Sequence, residues 1–157
     1  MTIPYRGATR DGTYFITASN FEKQCLLLSD RMAGLFIKVL HHYQKQAKYH
    51  LHEFVVMPNH FHLLITPIPP VTIEKAVQFI KGGFSYRAKK ELAFHGEIWQ
   101  TSFYDRRVRD ATEYARFRHY ILMNPVRRGL APLPEGFRFS SSRLKLDDAP
   151  QWLKPAA

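Results

Sequence analysis

The sequence predicts one α+β sandwich, an antiparallel sheet with helices covering a face, and three observations predict it. Segments of strand and helix character follow one another in the order β-α-β-β-α-β, with a further helix after them. Two of the strand segments are separated only by Pro58-Asn59, and so short a link implies an antiparallel hairpin with Pro58 outside the regular ladder. A length of 157 residues at 45% hydrophobic content suits one core of ordinary size. No repeat or interdomain linker interrupts the chain. It therefore reads as a single domain over 1–157, with a core of about 13–130 and a tail of 131–157.

The first strand, 14–18, reads Tyr-Phe-Ile-Thr-Ala after the turn pair Asp11-Gly12. Aromatic and β-branched side chains suit a pleated surface. Ser29 and Asp30 offer N-terminal capping for a helix in which Met32, Leu35, Phe36, Val39, Leu40 and Tyr43 recur at helical spacing. His41 and His42, near its end, read as solvated or end-capping. The hairpin strands lie at about 53–57 and 60–66, and Pro67, Pro69 and Pro70 stop the second one. A second helix begins at Thr72, with Ile73, Val77, Ile80 and Phe84 on its inner side and Lys75, Lys81, Arg87, Lys89 and Lys90 toward solvent. Gly82-Gly83 would either bend that helix or let a partner backbone approach. Ile98-Trp99 opens an extended segment that ends in the basic tract Arg106-Arg107-Val108-Arg109. Asp110, Thr112 and Glu113 signal a third helix carrying Tyr114, Phe117, Tyr120, Ile121 and Met123. That helix should close near Asn124-Pro125, because proline has no N–H and restricts the residue before it. The tail FRFSSSRLKL returns against the body without a secure element, and the face of the sheet away from the helices is left for a ligand.

Charge narrows the class of that ligand. A formal charge of +10, from 23 Lys+Arg against 13 Asp+Glu, points to a polyanion: DNA, RNA or anionic lipid. The lone Cys25 can form no internal disulfide, and no C-x-x-C pair is present, which fits a reducing, intracellular setting. Beside Leu26, Leu27 and Leu28, Cys25 reads as core packing. The longest apolar runs are too short for a membrane span, and MTIPYRGATRDG has no apolar signal core.

The stretch VVMPNHFHLLI carries the sharpest chemical signal. On a strand, His60 and His62 share one face while Phe61 points to the other. Two imidazoles are an incomplete metal site, so the pair raises the question of an oxygen donor. In the third helix Tyr120 and Asn124 lie four residues apart and share a face, which offers a phenol and an amide oxygen together. The amide oxygen suits a hard ion such as Mg²⁺ or Mn²⁺. A metal there would offset charge developing at a phosphate, and the phenol could attack phosphorus. A free phenol is protonated at neutral pH, so nearby positive charge should help, and Arg106, Arg107, Arg109, Arg116 and Arg118 are the candidates for it. Tyr104 competes for the nucleophile's role, but the residue four positions on is Val108, so a base-stacking role suits it better. Tyr114, six residues from Tyr120, shares no face with it. A non-catalytic module that binds hairpin DNA or RNA on a basic, aromatic-rich sheet is the alternative reading of the same residues.

MPNHFHLLI, IWQTSFYDRRVR and YILMNPVRRGL together resemble the IS200-like tyrosine transposases, most closely the REP-associated group, over roughly residues 14–130. The resemblance implies a ferredoxin-like or RNA-recognition-like core with a catalytic helix beside a metal site. It implies a metal-dependent endonuclease and strand transferase that acts on single-stranded DNA hairpins through a covalent 5′-phosphotyrosine. His60, His62 and Asn124 match the metal ligands, and Tyr120 matches the nucleophile. The substrates implied are short structured repeats of a bacterial chromosome or the ends of a mobile element, met in the cytoplasm at the nucleoid. No periodic seam decides between a monomer and a homodimer. Arg106, Arg107, Arg109, Arg116, Arg118, Arg127 and Arg128 crowd the catalytic helix in sequence and should hold phosphates. Lys81 and Arg87 would extend that surface, and Arg6 and Arg10 would reach DNA beside the hairpin.

Overall fold

The computed structural model describes residues 12–154, so Arg6 and Arg10 lie outside the described residues. Seven main elements follow in order: β1 (Tyr14–Ser19), α1 (Asp30–Lys45), β2 (Tyr49–Met57), β3 (His60–Pro67), α2 (Ile73–Leu92), β4 (Tyr104–Arg107) and α3 (Ala111–Arg127). The strands form one antiparallel sheet in the order β2-β3-β1-β4. This is the α+β sandwich expected from the element order.

The three helices begin at the polar residues that announced them. Ser29 Oγ accepts from Met32 N at 3.3 Å, Thr72 Oγ1 from Lys75 N at 3.1 Å and Asp110 Oδ1 from Glu113 N at 2.8 Å. Each cap satisfies an N–H that has no partner inside its helix. Strand alternation then divides the core. Ile16, Phe54, Phe61 and Leu63 pack against α1 and α2 with Phe36, Phe84 and Trp99. Phe15, Val55, Met57 and Leu64 point the other way and pack with Tyr114 and Ile121 of α3. The second face is therefore only partly open: these four buried apolar side chains need cover and α3 provides it, while Thr17, Ser19, His60, His62 and Tyr104 line a cleft beside it.

Several boundaries differ from the sequence reading for physical reasons. β2 starts at Tyr49 rather than 53, with a register irregularity between Leu51 and Glu53. The polar His52 and Glu53 are buried in it because each has partners. His52 hydrogen-bonds Thr66 Oγ1 at 2.7 Å and the Asp147 carbonyl at 2.9 Å. Glu53 accepts from Arg118 and from Ser141. The segment at Ile98-Trp99 makes only an isolated bridge, Asn20 to Trp99, before the short β4. Pro125 lies inside α3, in its last turn, and the helix runs on to Arg127. At Gly83 a Cβ would sit 2.5 Å from the Tyr43 hydroxyl, so the close approach on α2 is to a side chain of α1. Cys25 is exposed, and Leu27 takes the buried position instead. The tail covers the outer edge of β2 through Val56 N to Phe139 O (2.8 Å) and Ser141 N to Phe54 O (3.0 Å), so that edge is not free to pair with another chain. Among the described residues no helix is long and apolar enough to cross a membrane.

Candidate active site

The β1–β3 register sets Ser19 opposite His60 and Thr17 opposite His62, and the β1–β4 register sets Tyr104 opposite Thr17. A polar row thus crosses the sheet on the face that carries α3. The two imidazole centroids are 4.8 Å apart. His60 Nδ1 lies 2.6 Å from Asn59 Oδ1, and His62 Nδ1 lies 2.7 Å from Thr17 Oγ1. Both Nδ1 atoms are engaged, which leaves the two Nε2 atoms for a ligand. Burial, assisted by the charges of Arg128 and Lys23, pushes His60 down to about 4. Burial, then His60, Arg128 and Arg127, pushes His62 down to about 3. Both rings are neutral at physiological pH, the form that binds metals.

Tyr120 reaches this row from α3. Its ring meets His62 edge-on at 5.4 Å and Phe15 edge-on at 5.7 Å, and it is 41% exposed. The Arg127 guanidinium lies 4.3 Å from the ring centroid and donates to the Tyr120 carbonyl at 2.7 Å. The cation over the phenol ring is thus Arg127, seven residues along the same helix, and of the five arginines expected to activate Tyr120, Arg106 and Arg116 line a groove with it. His60, His62, Tyr120, Tyr104, Lys23 and Arg128 line a cleft of about 400 Å³. Tyr104 is 56% exposed there, free to present its ring to a ligand. Tyr114 is buried against His52 at 5.7 Å, away from the cleft.

Asn124 follows Tyr120 by one turn and does not line the cleft. It is 2% exposed, and its Oδ1 is buried without a hydrogen-bond partner. An orphaned buried carbonyl oxygen costs about 1–3 kcal/mol unless something binds it. Among the described residues no cluster of three or more His, Cys, Asp or Glu side chains could hold a metal, so a third protein ligand beside the two histidines must come from another donor. An amide oxygen and two neutral imidazoles are chemically suited to a divalent ion, and the residues present fit one.

The arginines divide into two groups. Arg106 and Arg109 both reach the buried carboxylate of Glu113, at 2.9 Å and 3.1 Å. Burial works to raise the pKa of Glu113, but hydrogen bonds from Arg109 and the charges of both arginines outweigh it and hold the carboxyl below its usual range. Arg118 pairs with buried Glu53 at 2.9 Å. Arg107, Arg116 and Arg128 are exposed, and Arg116 lines a groove of about 210 Å³ together with Tyr120. Lys81 and Arg87 are not brought to the histidines. They sit on α2, on the other helical layer, where Lys81 donates to the Gln100 carbonyl at 2.6 Å and Arg87 to Glu91 at 2.6 Å. Sequence reasoning missed Thr17, Lys23 and Asn59. Only Asn59 had a signal, its place directly before His60; the other two depend on strand register and on a turn.

Residues 14–124 match the family described as Transposase IS200 like. The chain is 25% identical over 136 residues to a REP-associated tyrosine transposase of Escherichia coli, a match covering 84% of this chain and 77% of that protein. It is 27% identical over 147 residues to an uncharacterised protein of Haemophilus influenzae, covering 74% of this chain and 81% of that one. A solved structure of a REP-associated tyrosine transposase bound to a REP hairpin is similar with a TM-score of 0.72 at 24% identity, over 99% of this chain and 89% of that chain. That likeness shows a shared fold.

Proposed function

The chain belongs to the IS200-like transposase family, and on that premise we propose that it cuts and rejoins hairpin-bearing single-stranded DNA through a covalent 5′-phosphotyrosine at Tyr120. The observation that carries the reading is the Tyr120 ring standing 5.4 Å from His62 at the mouth of a cleft lined by Lys23 and Arg128. The relative whose solved structure holds a REP hairpin supports the choice of substrate class.

His60, His62 and Asn124 would hold a divalent ion, Mg²⁺ or Mn²⁺, which when bound supplies positive charge beside the scissile phosphate. The remaining steps belong to the side chains. Lys23 and Arg128 draw the backbone into the cleft, and Tyr104 offers a ring on which an unpaired base can stack. Arg127 lies against the Tyr120 ring and donates to the Tyr120 carbonyl, which holds that turn of the helix at the cleft. The phenol loses its proton, its oxygen bonds to phosphorus, and the bond from phosphorus to the 3′ oxygen breaks. That 3′ oxygen takes up a proton and leaves as a hydroxyl. Attack by a 3′-hydroxyl on the phosphotyrosine reverses the step and seals a strand, so the energy of the phosphodiester is conserved and no ATP is consumed.

The test is incubation of the protein with a panel of hairpin-bearing single strands and Mg²⁺ or Mn²⁺, followed by mass mapping of the protein–DNA adduct. DNA attached at Tyr120 is the expected result. Hairpin cleavage with no DNA on Tyr120 would overturn the assignment.

A further inference from the structure

The two histidines are held by partners of different chemistry. An amide oxygen can only accept, so with Asn59 Oδ1 at 2.6 Å the proton of neutral His60 sits on Nδ1 and the Nε2 lone pair is free. A hydroxyl both donates and accepts, so Thr17 Oγ1 at 2.7 Å is compatible with either tautomer of His62.

The His60 tautomer depends on which way the Asn59 amide faces, and the loop after β1 decides that. Asn59 Nδ2 points at the Lys23 carbonyl, 3.5 Å away. An amide turned over would set two carbonyl oxygens against each other and aim N–H groups at His60. The Lys23 carbonyl is fixed in turn by an unusual backbone: Glu22 and Lys23 have φ of 52° and 56°, successive left-handed residues without glycine. Hydrogen bonds hold them there. Lys23 N donates to Asn20 O at 2.9 Å, Asn20 N to Asn59 O at 2.8 Å and Leu27 N to Pro58 O at 2.9 Å, tying the loop to the β2–β3 turn on both sides.

We infer that Asn59 is a positioning residue that sets the tautomer of His60, keeping Nε2 open for a divalent metal, and that the left-handed turn at Glu22-Lys23 holds the Asn59 amide in that orientation. The consequence for metal rests on the proposed role of His60; the tautomer follows from the hydrogen bonds alone.

Long-range proton–nitrogen NMR of the metal-free, DNA-free chain carrying labelled histidine reads which ring nitrogen bears the proton. The expected result is one tautomer for His60, protonated at Nδ1, a mixture in N59A, and recovery of the single tautomer in N59D, whose carboxylate can only accept. Mn²⁺ titration calorimetry on the same proteins should show N59A binding about tenfold more weakly or worse, with at least partial recovery in N59D. A proton on Nε2 of wild-type His60, or an N59A spectrum with the His60 tautomer unchanged, overturns the inference. Unchanged Mn²⁺ affinity in N59A where H60A loses it also overturns the positioning role. If the tautomer responds to Asn59 but H60A binds Mn²⁺ as wild type does, the control by Asn59 is supported and the ligand role of His60 falls.

Discussion

The two faces of the sheet are made from the same strands but by different rules. Toward α1 and α2, Phe61 meets Phe36 at 4.6 Å and Trp99 at 5.4 Å, and the packing is almost wholly apolar. One residue away on either side, His60 and His62 point to the α3 face, where the apolar cluster is smaller and gives way to the row Thr17, His62, Tyr104. On that face two carboxylates are buried against arginines, Glu53 with Arg118 and Glu113 with Arg106 and Arg109. The contrast separates environments: one face is packed almost wholly by apolar side chains, and the other also buries polar side chains beside the cleft.

The sharpest way to break that separation is a variant on each face. Y120F deletes one exposed oxygen and keeps the ring that packs on Phe15 and His62. It should abolish strand cleavage and the covalent adduct altogether, while hairpin binding in a gel shift and the unfolding midpoint stay near wild type. Y104F should keep cleavage; an active Y120F beside an inactive but DNA-binding Y104F would move the nucleophile to Tyr104. On the opposite face, F61A empties a fully buried site and should cost about 3–5 kcal/mol in denaturant unfolding. If F61A proved nearly neutral, the apolar packing assigned to the α1–α2 side would be wrong.

A smaller effect tests the polar row itself. The folded pKa of His62 is about 3 and that of His60 about 4, both below the ordinary 6.5, so the folded state stays neutral where the unfolded chain takes up protons. The unfolded state then binds more protons between these values, and stability must fall as pH drops below about 6.5. For a fully buried imidazole the limiting slope is about 1.4 kcal/mol per pH unit. His62, 5% exposed, should approach it, and the more open His60 should contribute less. Denaturant unfolding of metal-free wild type and H62Q between neutral pH and about pH 5 checks this: wild type should lose more stability than H62Q. Parallel pH profiles would show that His62 is not held neutral by the fold.

What could be read in advance was local, and what could not was a matter of distant partners. Ser29, Thr72 and Asp110 are caps within three residues of the N–H groups they satisfy, so helix starts were readable. The spacing of His60 and His62 on one strand, and of Tyr120 and Asn124 on one helix, was equally local, and Tyr120 does meet His62 in space. The sequence reading opens β2 at Glu53 and so leaves out the buried His52, whose partner Asp147 lies 95 residues away. The leucine neighbours of Cys25 predict a core position for it, but the turn at 26–27 buries Leu27 instead. The row of Thr17, His62 and Tyr104 depends on two strand registers that no short motif encodes. The division of the arginines likewise depends on where Glu53 and Glu113 come to lie.

That division yields the smallest effect and the finest discrimination. Arg116 and Arg118 are two residues apart on α3, both charged and both with exposed surface. Arg118 reaches the buried Glu53 at 2.9 Å, whereas among the described residues no ion pair engages Arg116, which instead lines the groove beside Tyr120. Removing Arg118 leaves a buried carboxylate with Ser141 as its remaining side-chain partner, so R118A should lower stability by about 1–2 kcal/mol, toward the low end because the guanidinium is half exposed. R116A should leave stability within about 0.5 kcal/mol of wild type. For DNA the order reverses. A cation that neutralises one phosphate of a single strand contributes about 0.7 to the slope of log affinity against log salt, and R116A should reduce the slope by about that amount while R118A changes it less. Binding of one hairpin measured at several salt concentrations, beside unfolding of the same two variants, reads both quantities. If R118A gave the larger loss of salt slope and R116A the larger loss of stability, the groove beside Tyr120 would not be the path of the strand, and the arginine bound to Glu53 would be the one facing phosphate.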